Sequence, residues 1–215
     1  MTEIQRAPNT QDGLDGIGDR LREERVKAGL SQRELARRLG LSASLISQLE
    51  TGLSKPSVGT LYAIVTELGL SLDRIIHGEN YEADPRDDTR IDDMDLEPLT
   101  HPGYRSAIDL ASGVRWERLT SGTEDEIDFL HAIYEVGGAS TPDESLMRHH
   151  GREYGYVMSG TLGIQIGFQE YELEPGDSIA FDSTRPHRLF NKGDVPVHAI
   201  WFVVGREADV RTSSD

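Results

Sequence analysis

The chain of 215 residues carries a formal net charge of −16, is 36% hydrophobic and 28% charged, and contains no cysteine. The lack of cysteine excludes disulfides, thiolate nucleophiles, iron–sulfur clusters and cysteine zinc sites, so any bound metal would need His, Asp or Glu ligands. No apolar run approaches the roughly 20 residues that span a bilayer, and the N-terminus lacks the basic start and apolar core of a signal peptide. We therefore expect a cytoplasmic protein without a membrane partner.

The negative charge is distributed unevenly along the chain. Residues 17–76 hold 9 Lys and Arg against 7 Asp and Glu, whereas residues 77–100 hold 2 against 9. Such asymmetry indicates separate domains with separate partners. The predicted organisation is a disordered arm over 1–15, a helical domain over 16–77, an acidic linker over 78–104, a β domain over 105–205 and a tail over 206–215.

Apolar residues recur at helical spacing through the first domain and predict five short helices. The first ends near Gly29, a residue type that favours helix C-termini. Ser31 and Glu34 form a capping box at the start of the second helix, and Ser42 caps the third, which runs to about Glu50. The fourth and fifth helices are lined by Leu61, Ile64, Val65, Leu68, Leu72, Ile75 and Ile76.

The second and third helices, joined by a turn at Gly40, can place the third helix in the major groove of DNA. Ile46 and Leu49 face the core, which leaves small polar side chains on the exposed face of the third helix. The residues that we expect to contact bases or phosphates are Gln32, Arg33, Ser42, Ala43, Ser44, Ser47, Gln48 and Lys55.

The segment 31–76 resembles the helix-turn-helix domain of the Cro/repressor-type (xenobiotic response element) family. Typical of that family is the run of Ile46, Gln48, Glu50 and Gly52, followed by a proline. The resemblance implies binding to double-stranded DNA. Because affinity depends on how many phosphates are neutralised, a single domain of charge +2 would bind weakly. We therefore expect a homodimer on a near-palindromic operator.

Beyond the linker the pattern changes to short β-rich runs without intervening helices, which favours a sandwich or small barrel. Turn signals such as Pro175-Gly176-Asp177 separate the runs. The predicted runs are 114–119, 128–136, 154–167, 171–181, 187–191 and 197–204.

This C-terminal domain resembles the cupins, which are double-stranded β-helix barrels of the jelly-roll type. The first cupin motif is matched by His149, Glu153 and Gly160, and the second by the Pro-Gly-Asp turn and by His187 followed by Asn191. The resemblance implies that three of four usual metal ligands are present, namely His149, Glu153 and His187, with Met147 in place of the first histidine. The fold class predicted is multidomain α plus β, with a five-helix helix-turn-helix domain and a C-terminal cupin.

The histidine–glutamate set has two interpretations. Two imidazoles and one carboxylate can hold one face of an octahedral Fe, Ni, Mn or Zn ion and leave positions open. Alternatively, the pocket is metal-free and its polar groups bind an effector or one another. His150 should face away from His149 by strand alternation. The candidate effector-pocket residues are Met147, Tyr134, Tyr156, Phe181 and Trp201.

The two domains together resemble a bacterial class of transcriptional regulators in which the cupin senses a small molecule and supports dimerisation. Under this hypothesis an effector in the barrel changes the spacing of two DNA-reading heads, and the chain has no catalytic residue. The alternative is a non-haem Fe(II) oxygenase, since hydroxypropylphosphonate epoxidase joins the same domain types and has a His-x-Gly-x-Glu iron motif similar to residues 149–153. We favour the regulator because the exposed face of the third helix is intact as a DNA reader.

Overall fold

The computed structural model describes residues 16–70, 72, 75, 99–120 and 127–205. These residues form a helical region followed by two antiparallel sheets. The predicted arm, the predicted tail and residues 78–98 of the predicted linker lie outside the described residues. Within the described part of the chain, no helix is long and apolar enough to cross a membrane.

The helical region contains four helices among the described residues, not the five expected. They are α1 (Ile17–Lys27), α2 (Gln32–Leu39), α3 (Ala43–Glu50) and α4 (Val58–Leu68). Of the predicted fifth helix only Leu72 and Ile75 are described, both in helical conformation and fully buried. The remainder of that prediction falls outside the described residues.

The helix boundaries follow from the capping residues. The side chains of Ser31 and Ser42 accept hydrogen bonds from the backbone N–H groups of Glu34 and Leu45, each at 3.1 Å. Gly40 ends α2 with a φ of 68°, a left-handed conformation that glycine adopts without steric cost. The helix-turn-helix geometry therefore follows from local sequence signals.

The β region contains nine strands among the described residues. They are β1 (Ala107–Leu110), β2 (Val114–Arg118), β3 (Ile127–Tyr134), β4 (Arg152–Ser159), β5 (Leu162–Ile166), β6 (Gln169–Leu173), β7 (Ser178–Asp182), β8 (His187–Asn191) and β9 (Val197–Val204). The predicted runs 154–167 and 171–181 each divide into two strands, because the chain turns at Gly160 and Gly176 with positive φ. Strand β1 was not predicted.

Two sheets pack face to face with the core between them. The strand order is β1-β2-β3-β9-β4-β7 in the large sheet and β6-β5-β8 in the small one. Strict alternation of burial along β3 and β9 directs every second side chain into this core. The result is the antiparallel cupin fold that the motifs implied, with its polar cluster enclosed between the sheets.

The helical region and the barrel share one hydrophobic core. The backbone N–H of Gly59 in α4 donates to the carbonyl of Ser140 at 3.2 Å, and the N–H of Ala111 donates to the carbonyl of Pro56 at 2.8 Å. At the same junction the ring centroids of Tyr62 and Trp116 lie 5.6 Å apart. Helix α4 therefore connects the two regions through both backbone and aromatic contacts.

Candidate functional site

The three cupin ligands predicted from the sequence meet inside the barrel. His149 precedes β4, Glu153 lies within β4, and His187 begins β8 on the opposite sheet. Their exposed fractions are 5%, 2% and 0%, and their ligand atoms all lie within 4.8 Å of one another. The neighbouring His150 is exposed, as predicted, although both histidines lie before β4 and not in a strand. The structure thus brings the set together from β4, from β8 of the other sheet and from the segment that precedes β4.

The contacts of this cluster leave three atoms directed at one another without a hydrogen bond. The Nε2 atoms of His149 and His187 lie 2.9 and 3.1 Å from Oε1 of Glu153, yet none of these three atoms has a hydrogen-bond partner. Their other polar atoms are engaged: Nδ1 of His149 lies 3.0 Å from the carbonyl of His150, and Nδ1 of His187 lies 2.8 Å from that of Arg185. The indole N–H of Trp201 donates to Oε2 of Glu153 at 2.7 Å.

This arrangement fits a divalent metal. When Nδ1 donates to a carbonyl, the neutral imidazole presents the lone pair of Nε2 as a ligand, and the indole contact orients the carboxylate in the same way. Metal–ligand bonds of about 2.1 Å at right angles place ligand atoms about 3 Å apart, which matches the separations around Glu153. The donor set of two nitrogens and one carboxylate oxygen suits Fe, Ni, Mn or Zn.

The electrostatics of the cluster favour an ionised carboxylate. Burial alone would raise the pKa of Glu153, but the two imidazoles beside it outweigh burial and hold that pKa below its usual range. Burial lowers the pKa of His187, but the carboxylate of Glu153 outweighs burial, so the net shift is upward. Burial, reinforced by the charge of Glu153, raises the pKa of Tyr134. The shifts of Glu153 and His187 both favour the ionised form of the Glu153 carboxylate, which faces the two imidazoles inside the barrel.

Met147 lines the cavity beside this site and also packs against helix α4. It forms a β-bridge with His187, and its Cβ would lie 3.4 Å from a Cβ added to Gly59 of α4. A thioether is a poor ligand for hard divalent ions. The position that carries a histidine in the usual cupin motif is thus used here for contact with α4.

A small cavity adjoins the cluster. It has a volume of about 10 Å³, close to the space that one water molecule needs. It is lined by Val58, Tyr62, Trp116, Tyr134, Met147, Glu153, Leu189 and Trp201. Three of the five residues predicted for the effector pocket, Tyr134, Met147 and Trp201, therefore line this cavity.

The other two predicted pocket residues lie elsewhere. The ring of Phe181 contacts that of His187, at 5.0 Å between centroids, and also lines a cleft of about 460 Å³ along β6 and β7. Tyr156 is 48% exposed, so its assignment to the pocket was wrong. Because β4 turns Glu153 inward, the residue three positions later must face outward.

The sequence reasoning missed Tyr62, whose ring stacks on that of His149 with centroids 4.2 Å apart and planes 15° apart. In the sequence Tyr62 belongs to an ordinary apolar helix stripe, beside Leu61. Nothing local marks it as a neighbour of a histidine in the other domain. Trp116 of β2 was also missed, because nothing in the predicted run 114–119 marks it as a residue that lines the cavity.

The residues predicted to contact DNA lie on α2, α3 and the segment that follows. Exposed side chains are Arg33, Ser42, Ser44, Gln48 and Lys55, and partly buried ones are Gln32, Ala43 and Ser47. Three of the side chains also have structural partners: Ser42 caps α3, Gln32 donates to Glu50 at 2.7 Å, and Lys55 lies 3.8 Å from Asp109. Their contact with DNA remains a prediction.

Glu50 fixes the orientation of α3 within that reader. It is 5% exposed and accepts two hydrogen bonds from Arg25 of α1 besides the one from Gln32 of α2. Burial raises the pKa of Glu50, but the hydrogen bonds of Arg25 and Gln32 outweigh burial and lower it overall. One carboxylate therefore ties three helices together.

A helix-turn-helix reader joined to a jelly-roll barrel with a buried set of polar ligands defines a DNA-binding protein with a cupin domain. The helix-turn-helix family matches residues 21–75, and the cupin domain family matches residues 130–203. The chain is 30% identical over 175 residues to the HTH-type transcriptional regulator PuuR of Escherichia coli (strain K12), across 81% of this chain and 86% of that protein. The chain therefore belongs to the family of helix-turn-helix transcriptional regulators with a cupin domain.

One of the solved structures that resemble this chain shows the same fold. An HTH_3 family transcriptional regulator from Vibrio cholerae is 20% identical, with a TM-score of 0.61 over 92% of this chain and 99% of that chain. Hydroxypropylphosphonic acid epoxidase from S. wedmorenis is 17% identical, with a TM-score of 0.42 over 91% and 100%. The second likeness is too weak to bear on function.

Proposed function

We propose that this regulator binds operator DNA as a homodimer and responds to a metal ion, a small-molecule effector or both in its cupin domain. The observation that supports the response is the buried cluster of His149, Glu153 and His187. Its inward atoms lack hydrogen-bond partners, although a buried polar atom without a partner is costly. A bound ion or polar ligand removes that cost.

The metal is the simplest occupant. His149, Glu153 and His187 would hold it, and Trp201 would orient the carboxylate. A metal held this way supplies open coordination positions for an oxygen or nitrogen atom of a second ligand. Binding changes DNA affinity only if the two conformations of the protein differ in affinity for the ligand.

The outer face of the large sheet supports the proposed dimer. Neighbouring strands there align Tyr154, Phe202 and Phe129 in one row, and Tyr156, Ile200 and His131 in the next. Tyr154, Tyr156 and Met158 are 42%, 48% and 43% exposed. An apolar face of this kind is typical of an interaction surface. A second copy on this face would bring two readers to the two half-sites of one operator.

The proposal is tested by DNA binding and metal content of untagged protein. Gel shifts with DNA from upstream of its own gene should show operator binding. Binding should weaken in Tyr156→Glu, which disrupts the proposed dimer face, and should be unchanged in Phe168→Glu, at a fully exposed turn.

The DNA contacts are tested by two further variants. Gln48→Ala should reduce binding to the operator selectively, whereas Lys55→Ala should weaken binding to all DNA and lower the salt slope by about 1. Absence of operator binding under every metal and metabolite condition would contradict the proposal.

The alternative, an Fe(II) oxygenase, rests on the same two-histidine, one-glutamate set. The cavity beside the set holds no more than about one water molecule, which leaves no room for a substrate in this conformation. Oxygen consumption with Fe(II) and candidate substrates, compared between the parent protein and His149→Ala, discriminates the two functions. Metal-dependent turnover that His149→Ala abolishes would favour the enzyme.

A further inference from the structure

Helix α4 belongs to the DNA-reading region, yet it forms one wall of the cupin cavity. Val58 and Tyr62 of α4 line that cavity together with Met147 and Trp201 of the barrel. Tyr62 covers His149 with a parallel ring stack, and it is only 3% exposed itself. A wall of the sensor cavity is therefore supplied by the reader.

The fit between α4 and the barrel is close. A Cβ added to Gly59 would lie 3.0 Å from Cγ2 of Thr141 and 3.4 Å from Cβ of Met147. The first of these separations is tighter than ordinary van der Waals contact, so the absence of a side chain at position 59 allows the helix to approach. Ser140 anchors the same turn by accepting the hydrogen bond from the N–H of Gly59.

When α4 is in place, the cavity has almost no free volume. Its volume of about 10 Å³ admits roughly one water molecule, so no larger molecule fits beside the ligand set. Leu61, Ile64 and Val65 of α4 are fully buried in the hydrophobic core. Leu68 of α4 also packs against the cluster of Leu35, Ala36 and Ile46 in α2 and α3, so we expect α4 to carry the other helices with it when it leaves the barrel.

We propose that α4 is the lid of the cupin cavity, and that Tyr62 and the contact between Gly59 and Met147 hold it closed. Any ligand larger than water then enters only when the reader separates from the barrel. This inference rests on the proposed regulatory function, for which it gives the mechanical link between sensor and reader. It also accounts for methionine at position 147, where the side chain packs against the lid.

The chain provides an internal reporter of lid opening. Its two tryptophans, Trp116 and Trp201, both line the cavity and are 4% and 5% exposed. Acrylamide, a small neutral quencher larger than water, should reach them only when the lid opens. The bimolecular quenching constant, obtained from fluorescence lifetimes of the metal-free full-length protein, measures that access.

The first comparison removes the closing ring. Tyr62→Ala should raise the quenching constant at least threefold, whereas Thr66→Ala, at an exposed position of the same helix, should leave it unchanged. An increase below twofold in folded Tyr62→Ala would overturn the proposal. Circular dichroism melting curves establish that each variant is folded.

The second comparison locks the lid and does not depend on the stability of Tyr62→Ala. The Cβ separation of 3.4 Å between position 59 and Met147 is close to the roughly 3.5–4.5 Å of a disulfide, and the chain has no other cysteine. In the double variant Gly59→Cys/Met147→Cys, the reduced form should be wedged open by the new side chain at position 59. Oxidation should then lower the quenching constant at least threefold.

The quenching of the disulfide variant distinguishes entry past the α4 lid from entry along the β6–β7 cleft. Failure of the lid proposal is also distinguishable from failure of the regulatory function. Equal quenching in the oxidised and reduced forms would overturn the proposal and show that molecules enter along the β6–β7 cleft beside Phe181. Gel shifts with the parent protein test the regulatory function separately. Lid closure on oxidation without any operator binding would retain the lid and reject its regulatory role.

Discussion

Each of the two regions of this protein contains a buried glutamate, Glu50 in the reader and Glu153 in the barrel, and these two differ in how their oxygens are satisfied. In the reader, Glu50 has hydrogen bonds to both oxygens, from Arg25 and Gln32. In the barrel, Glu153 has one oxygen bound by Trp201 and the other facing two imidazoles without a hydrogen bond. A carboxylate with complete partners holds helices together, whereas one with an open oxygen is available to a ligand.

The largest effect should follow from removing the charge of the barrel glutamate. We expect Glu153→Gln to weaken divalent metal binding by more than about 100-fold, because a neutral amide oxygen is a far weaker ligand than a carboxylate. Isothermal titration with Zn²⁺ or Fe²⁺ measures the change. His150→Ala, at an exposed neighbour outside the cluster, is the matched control and should bind metal as the parent does. Unaltered affinity in Glu153→Gln would remove the cluster as the metal site.

Glu50→Ala should instead destabilise the fold of the reader. Removal of this partner leaves the buried Arg25 without its counter-charge, which typically costs roughly 3–5 kcal/mol. We expect about 2–3 kcal/mol here, because Arg25 still donates a hydrogen bond to the carbonyl of Leu30. Chemical denaturation followed by circular dichroism measures the loss. Glu34→Ala is the control, since the pairs of Glu34 with Arg37 and Arg38 are on the surface. Similar losses in both variants would contradict a special role for Glu50.

Trp201→Phe should have a smaller effect on the metal site. It removes the indole N–H that orients Oε2 of Glu153 but retains most of the apolar volume. Loss of such an orienting partner typically lowers metal affinity about 10-fold or more. The same titration tests this, with Trp116→Phe as the control because Trp116 lines the cavity without a described bond to the cluster. Equal effects of the two variants would contradict the orienting role.

The smallest effect is the pH dependence of Glu50. Its pKa in the folded protein is lowered from an ordinary value of 4.5, so its contribution to stability is present above pH 4.5 and is lost as the pH falls through the folded value. The difference in unfolding free energy between the parent and Glu50→Gln should therefore be constant above about pH 5 and shrink below it. A difference that grows on acidification would show the opposite shift.

Much of the fold could be predicted because its signals are local. Ser31, Ser42 and Gly40 specify helix ends through hydrogen bonds and backbone angles within a few residues. The strands β8 and β9 match the predicted runs residue for residue. The runs 154–167 and 171–181 were each predicted as one strand but contain two. Gly160 and Gly176 turn the chain inside sequences that remain rich in β-forming residues.

The outward orientation of Tyr156 follows from the alternation of side chains along β4. Once Glu153 is taken as inward, alternation along β4 places Tyr156 on the outer face. Its aromatic ring therefore belongs to the exposed surface of the large sheet and not to the cavity. The error came from treating aromatic type as a sign of pocket lining.

By itself the sequence determined the two domain types and the helix-turn-helix geometry, and its resemblance to the cupins singled out His149, Glu153 and His187 as candidate ligands, since each depends on motifs with characteristic spacing. Only the tertiary structure decided that Tyr62 covers His149 and that Met147 packs on Gly59 rather than completing a metal site. These contacts join residues far apart in the chain. Their partners are selected by the packing of α4 on the barrel, which no local pattern encodes.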